Sequence, residues 1–249
     1  MIKNPLARHL FGWLIEPLAA VLLVACATTA IAQPFYIPSG SMEPTLQIGD
    51  ALLGNKFAYG YSRWSLPYGL GPASETRLFG KLPRRGEVVI FRLPRDTSTT
   101  LIKRVIGLPG DRVQMVHGRL VLNGGMLPLE ASGTGKVEEA NGRLREIGKF
   151  TETLPGGMKH IIFKRRWDGM LDDTPVYVVP ANHIFAMGDN RDNSLDSRVA
   201  PGDGGVGYVP AENLVARADV MLGSYDYLNA RSLKSWLGQI RLSRFLRLI

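Results

Sequence analysis

Two stretches decide the fold: Glu87-Val88-Val89-Ile90-Phe91 and, ten residues further on, Leu101-Ile102-Lys103-Arg104-Val105-Ile106-Gly107-Leu108-Pro109-Gly110-Asp111. Both are short apolar runs rich in Val and Ile and bounded by turn residues, which is the pattern of strands rather than helices. In the second, Pro109 and Gly110 stand where a type II turn wants them, so one strand reverses into the next. Outward from this pair, Asp111 to Val116, Pro175 to Val179 and Ala216 to Leu222 read the same way, and Asn123-Gly124 is a further turn signal. The 28 Gly and 16 Pro are spread as punctuation between these runs, and there is no internal repeat. The expectation is a mostly β chain of coiled antiparallel sheets forming a barrel-like core.

Four regions depart from this pattern. Tyr59 to Arg84, rich in Gly, Pro and aromatics, reads as an ordered loop; Leu129 to Gly157 is polar and Gly-rich and suits either a partly mobile stretch or an inserted subdomain, the latter placed at about 112–175. At the C-terminus, Leu233, Trp236, Leu237, Ile240, Phe245 and Leu248 recur at helical spacing among Arg231, Lys234, Arg241, Arg244 and Arg247, which predicts a basic amphipathic helix that packs on the core or lies on a membrane surface. At the N-terminus, Lys3 and Arg8 precede an apolar region, and the 26 residues from Pro17 to Met42 carry no charge. Its densest part, Leu18 to Ala32, is 15 residues, and it needs help from Leu10 to Ile15 to reach the roughly 20 that span a bilayer. A cleaved leader and a retained anchor both fit, because Ala30-Ile31-Ala32 has the small-x-small form of a cleavage site. Either way the basic residues lie before the apolar run, so the bulk of the chain is exported. Residues 1–33 are read as cytoplasmic N-terminus and membrane helix, and 34–249 as the exported β-rich domain.

Composition narrows the function. With 45% hydrophobic and 21% charged residues over 249 positions, the chain can bury a core and is neither disordered nor a many-span membrane protein. A net charge of +8 invites nucleic acid or a membrane surface; no nucleic-acid reader motif is present, which leaves the membrane. Cys26 is the single cysteine, so an intrachain disulfide framework is excluded, and the four histidines show no metal spacing. No metal or other cofactor is expected.

Three segments carry the chemistry. Ile37-Pro38-Ser39-Gly40-Ser41-Met42-Glu43-Pro44-Thr45-Leu46 follows directly on the apolar run. Lys103 stands in an apolar strand, on the face opposite Ile102 and Arg104. Gly188-Asp189-Asn190-Arg191-Asp192-Asn193-Ser194-Leu195-Asp196-Ser197-Arg198 is a dense run of short hydrogen-bonding side chains, suited to a loop folded over a site. These segments, in this order, resemble the type I signal peptidases, serine proteases that release exported proteins from their signal peptides. The resemblance extends through Lys56-Phe57-Ala58-Tyr59-Gly60 and Arg85 to Phe91. It implies Ser41 as nucleophile and Lys103 as general base, with the Ser39 hydroxyl and the Ser41 amide as oxyanion hole. It further implies that Ser194 orients the Lys103 amine, that Asp196 with Arg198 and Arg104 brace the site, and that Asp189 supports it. Phe35, Ile37, Pro38, Met42, Leu46, Leu101 and Ile102 would line shallow pockets admitting only small side chains, hence Ala-x-Ala before the scissile bond. The implied partners are signal-peptide-bearing preproteins and membrane lipid, with a monomer sufficient for function and the inner membrane as location.

The dyad also has a physical basis of its own. A lysine in water titrates at about pH 10.4 and is protonated near pH 7, so it serves as base only where its surroundings disfavour charge. Leu101, Ile102 and Val105 supply such surroundings, and burial lowers a lysine pKa by up to roughly 3 to 5 units. Other motif-like runs fail on context. Gly202 to Gly207 fits G-x-G-x-x-G but follows no strand of length, and Asp189 to Asp196 has Arg191 where a calcium ligand should be. Rival readings are a pilin-maturing conjugation peptidase, a self-cleaving repressor domain of the same Ser/Lys chemistry, a Ser-His-Asp triad through His183, and a non-catalytic membrane-associated β binding domain.

Overall fold

The computed structural model describes residues 13, 15–21, 23–24, 31–65, 69, 77–138, 143–226 and 237–249. Fourteen strands follow one another: β1 (Ala32–Tyr36), β2 (Asp50–Asn55), β3 (Val88–Leu93), β4 (Asp96–Gly107), β5 (Arg112–Val116), β6 (Arg119–Leu122), β7 (Gly125–Met126), β8 (Leu129–Glu138), β9 (Leu144–Thr153), β10 (Lys159–Lys164), β11 (Tyr177–Val178), β12 (His183–Met187), β13 (Val209–Pro210) and β14 (Leu214–Ser224). The chain is mostly β, and among the described residues each ladder between these strands is antiparallel.

Seven strands form the main sheet in the order β1-β2-β14-β3-β4-β12-β13. The expected mostly β, antiparallel architecture is present, and no ladder joins β1 to β13 among the described residues, so the sheet of the barrel-like core is not closed. Closure is unnecessary because β3 is buried on both faces, and successive side chains of a strand point to opposite sides. Val88 and Ile90 join Leu52, Ala216 and Met221 on one side. Val89 and Phe91 join Val105, Ile184 and Leu214 on the other. Val89, Ile90 and Phe91 are fully buried, each contributing on the order of 1.5–3 kcal/mol.

The turn at Gly107 to Asp111 forms as its sequence demands: the Asp111 amide donates to the Leu108 carbonyl at 3.0 Å and Gly110 has φ +87°. Beyond it, β11-β5-β6-β7 make a four-stranded sheet and β10-β9-β8 a three-stranded one. The former packs Val113, Met115 and Leu120 against Ile106 and Phe185 of the main sheet.

The ends of the chain differ from expectation. No described helix is long and apolar enough to cross a membrane; Trp13, residues 15–21, Leu23 and Val24 are helical, and the rest of the expected anchor up to Ala30 lies outside the described residues. The C-terminal amphipathic helix is corrected over 237–249, which holds two 3-10 turns, Leu237–Gln239 and Leu242–Arg244, joined by extended chain. This tail bridges back to β14 between Val220 and Leu248 and, just past the end of that strand, between Tyr225 and Ile240. Its basic residues are used one at a time: the buried Arg244 donates to both carboxylate oxygens of Asp50, and Arg241 Nη1 to Gln47 Oε1 at 2.6 Å. Hydrogen bonds to specific partners outweigh the helical spacing; positions 227–236 of the expected helix lie outside the described residues.

Candidate active site

Ser41 is held by a short turn plugged into the core. The Ile37 amide donates to the Asp50 carbonyl at 2.9 Å and the Gly49 amide to the Ile37 carbonyl at 3.0 Å, fixing the exit from β1. Ser39 is extended (φ −138°, ψ 151°), and Gly40–Met42 then form one 3-10 turn. Met42 and Leu46 are buried below it at 2% and 0% exposure, which anchors the turn while Ser41 stays half-exposed. Asn190, fully buried, clamps the turn from the other side: its backbone amide donates to the Ser41 carbonyl at 3.1 Å, and its side-chain amide to the Gly40 carbonyl at 3.0 Å.

Lys103 comes from β4, opposite Val89. Alternation sends Leu101 and Val105 to the side of Val89 and Phe91, and Ile102 to the other. Its side chain is buried, and Nζ donates to Ser41 Oγ at 2.7 Å and to the Ile102 carbonyl at 3.1 Å. Burial lowers its pKa to about 8 from the usual lysine value; Asp196 and Asp189 oppose the shift and Arg198 adds to it. Of the two atoms the dyad requires, one is therefore a hydroxyl and the other an amine close to losing its proton, in contact. A cavity of about 520 Å3 opens on them, bordered also by Ser39, Leu101 and Ser194.

The loop after β12 covers the site and is held by buried charge. Arg198 donates to Asp196 through Nε at 2.8 Å and Nη2 at 2.9 Å, and the Asp196 carboxylate also accepts from the Gly188 amide at 3.0 Å. Arg104 grips Asp189 in the same two-pronged way, at 2.8 and 2.7 Å, and Thr45 Oγ1 donates to Asp189 as well. Burial alone would raise both aspartates, but Arg198 and Arg104 beside them hold both below the usual carboxylate range. Gly188 has no room for a side chain, since a Cβ there would collide with Ser194 Oγ and stand 2.5 Å from the Ser41 carbonyl oxygen.

The expected site residues thus fall into three groups. Ser39, Ser41, Lys103, Ser194 and Leu101 border one cavity, with Asp189, Asp196, Arg198 and Arg104 behind them. The Ser194 hydroxyl is buried and has no hydrogen-bond partner among the described residues, so the expected bond from Lys103 to Ser194 is absent. Among the residues expected to contact substrate, Phe35 and Ile102 are half-buried and Pro38 is exposed. Ile37, Met42 and Leu46 belong to the core; Leu46, with no exposed surface, is corrected from pocket lining to support for the Ser41 turn. The described residues hold no group of His, Cys, Asp and Glu able to bind a metal.

Several contributors escape a reading of the sequence. Glu152 on β9 receives both prongs of Arg191, at 2.8 and 2.5 Å, and His160 Nε2 stands 3.3 Å from the same carboxylate. The Phe163 amide donates to the Asp189 carbonyl and the Arg191 amide to the Phe163 carbonyl, so β10 carries the loop after β12 along its edge. Nothing in the polar stretch from Leu129 to Gly157 signals this, because pairing across strands depends on register. Glu43, beside the Ser41 turn, is pushed up by burial to about 7, with Asn190, Arg165 and Arg241 opposing.

An open antiparallel sheet that brings a serine hydroxyl against a buried lysine amine defines a class of β proteins with a Ser-Lys pair. The family described as signal peptidase, peptidase S26, matches residues 10–222, and this chain belongs to that family and is a peptidase. It is 34% identical over 261 residues to the signal peptidase I of Rickettsia massiliae, covering 98% of this chain and 94% of that one. With the signal peptidase I of Rickettsia canadensis it shares 35% over 236 residues, 87% of this chain and 85% of the relative. A solved signal peptidase I from Enterococcus faecalis aligns with 55% of this chain and 97% of its own at 23% identity and a TM-score of 0.32.

Proposed function

We propose that this chain is a membrane-anchored serine endopeptidase that removes signal peptides from exported preproteins, cutting after small residues in Ala-x-Ala by way of an acyl-enzyme. The single observation that carries the reading is the 2.7 Å contact between a desolvated lysine amine and the Ser41 hydroxyl. In the neutral form Lys103 accepts the Ser41 proton as Oγ attacks the scissile carbonyl carbon. The Ser39 hydroxyl and Ser41 amide receive the developing oxyanion. The protonated amine then passes its proton to the leaving amino group, and Lys103 in turn activates the water that hydrolyses the ester on Ser41. Ser194 borders the same cavity with its buried hydroxyl available to the amine, while the Asp196–Arg198 and Arg104–Asp189 pairs keep the loop in place.

The small residues before the bond are taken by the wall formed from Phe35, Ile37, Pro38, Leu101 and Ile102, with Met42 beneath. Residues 1–33 serve as cytoplasmic N-terminus and single-pass anchor, and 34–249 as a catalytic domain on the outer face of the inner membrane, with 112–175 as an insertion. One copy suffices. The test is cleavage of a labelled preprotein with an Ala-x-Ala site, in detergent or lipid, by wild type, Ser41→Ala and Lys103→Met. A single cut after Ala by wild type alone is the expected result; a folded wild type that makes none overturns the reading.

A further inference from the structure

The residue between Met42 and Pro44 is a glutamate whose carboxyl folds back onto the Ser41 turn. The Glu43 amide donates to the Gly40 carbonyl at 3.2 Å, closing the 3-10 turn, and Glu43 Oε2 lies 2.7 Å from where a Cβ on Gly40 would stand. The other neighbour of that carboxyl is the fully buried Asn190. Asn190 Nδ2 donates to two acceptors, the Gly40 carbonyl at 3.0 Å and Glu43 Oε2 at 3.4 Å, while the Asn190 backbone amide holds the Ser41 carbonyl. Asn190 Oδ1 is buried with no hydrogen-bond partner among the described residues. The side-chain amide is thus oriented by what it donates and by nothing that it accepts.

That orientation depends on a carboxylate. An ionised Glu43 only accepts, so the Asn190 amide has one orientation in which it meets both oxygens with hydrogen. A protonated Glu43 also donates, and it is satisfied as well by the amide turned over, with Oδ1 toward Glu43 and the bond to the Gly40 carbonyl lost. Burial pushes Glu43 up to about 7; the Asn190 bond, Arg165 in the segment after β10 and Arg241 in the tail oppose the shift, and Asp50 on β2 adds to it. Arg241 is bonded to Gln47, and Asp50 is held by Arg244. We propose that Glu43 is a positioning residue for the peptidase reaction: its carboxylate locks the Asn190 amide against Gly40 and so aims Ser41 at Lys103, and a proton on Glu43 releases that lock.

This inference rests on the peptidase reading, and the experiment separates the two. Full-length protein in detergent is given a labelled preprotein with an Ala-x-Ala site, and kcat/KM is followed from pH 5.5 to 9.5. In wild type both Glu43 and Lys103 must lose a proton, so log kcat/KM is expected to rise with a slope of about two below about pH 6.5. Glu43→Gln keeps an acceptor for Asn190 and does not ionise, so its slope there is expected to be about one; relative to its own rate at pH 9, it is then about tenfold faster at pH 6 than wild type. Glu43→Leu removes the acceptor at every pH and is expected to lower kcat at pH 9 by about tenfold, with KM changed by less than about twofold. A wild-type slope of one, a slope of two that survives Glu43→Gln, or wild-type kcat in Glu43→Leu overturns the inference and leaves the peptidase reading standing. A folded wild type that cuts at no pH overturns the peptidase reading and this inference with it.

Discussion

Lys103 Nζ and Ser41 Oγ, 62 positions apart in sequence, meet at 2.7 Å because an antiparallel strand and a core-anchored 3-10 turn converge at one end of the open sheet. The lysine that results is suited to accept a proton and poorly suited to carry one. Activity is expected to rise with pH through an apparent pKa of about 8, the value to which burial lowers this amine. Initial rates of preprotein cleavage from pH 6 to 10 check it, and a flat profile under conditions where chemistry limits the rate contradicts Lys103 as the titrating base. Ser41→Ala and Lys103→Met are each expected to lower kcat by about 10^4-fold or more.

The same burial makes Lys103 a cost to the fold. Between about 8 and the usual lysine value of 10.5, the unfolded chain holds the proton and the folded one does not. Stability therefore rises with pH across that window, and the penalty is complete below it. Lys103→Met is expected to stabilise the protein by about 3 kcal/mol below pH 8, with the gain shrinking above. Urea unfolding at pH 7 and pH 10 measures both limbs; a destabilised Lys103→Met at pH 7 contradicts the account.

Asp189 and Arg104 are buried together, at 1% and 6% side-chain exposure. Asp189→Asn leaves the Arg104 guanidinium without its counter-charge, and a loss of about 3–5 kcal/mol is expected from breaking such a pair. Replacing both, as Arg104→Met with Asp189→Leu, removes the orphan charge and is expected to lose less than Asp189→Asn alone. Denaturant midpoints of the single and double variants decide it, and a double variant as unstable as the single contradicts the view that the uncompensated charge is the main cost.

How much of this was legible beforehand follows from range of interaction. The strands around Val88 to Phe91 and Leu101 to Ile106 can be read because burial on two faces leaves a local apolar run, and the turn at Pro109-Gly110 because its backbone geometry demands those residues. Ser41, Lys103 and the Gly188 to Arg198 run can be found as motifs. Over 237–249 the C-terminal tail is misread because helical spacing says nothing of Asp50, whose carboxylate receives Arg244 from 194 positions away. Glu152, His160 and the clamp by Asn190 are invisible for the same reason: a hydrogen bond across registers leaves no local pattern. Barrel closure, too, is a property of the first and last strands, and no single run encodes it.

Gly188 gives a sharper test of how closely the loop is fitted to the Ser41 turn. A Cβ there would lie 2.5 Å from both Ser194 Cβ and the Ser41 carbonyl oxygen, and neither belongs to a flexible side-chain end. Gly188→Ala is expected to cost about 1–3 kcal/mol by overpacking. Because it displaces the turn that aims Ser41, kcat is expected to fall by about 100-fold, with KM changed far less. Thermal unfolding and steady-state kinetics on the same preparation separate the two effects, and a variant with wild-type kcat contradicts the close fit.

The C-terminal tail provides the last test, since its role distinguishes a part of the fold from a free membrane-surface helix. Arg244 is 7% exposed and pairs with the fully buried Asp50, which also accepts from the Gln47 amide at 2.7 Å. That carboxylate sits at the start of β2, and Arg244 Nη2 donates to the Thr45 carbonyl as well, so the tail braces the Ser41 turn from behind. Arg244→Ala leaves Asp50 buried with a hydrogen bond but no counter-charge, and a loss of about 3–5 kcal/mol is expected. Arg247→Ala, by contrast, alters an exposed residue and is expected to change stability by less than about 0.5 kcal/mol. A helix lying on lipid would instead make the two arginines equivalent, with both losses appearing as weaker sedimentation with anionic vesicles and neither as a shifted urea midpoint. Unfolding and sedimentation of the two variants therefore separate the alternatives, and equal effects of Arg244→Ala and Arg247→Ala contradict the packed tail.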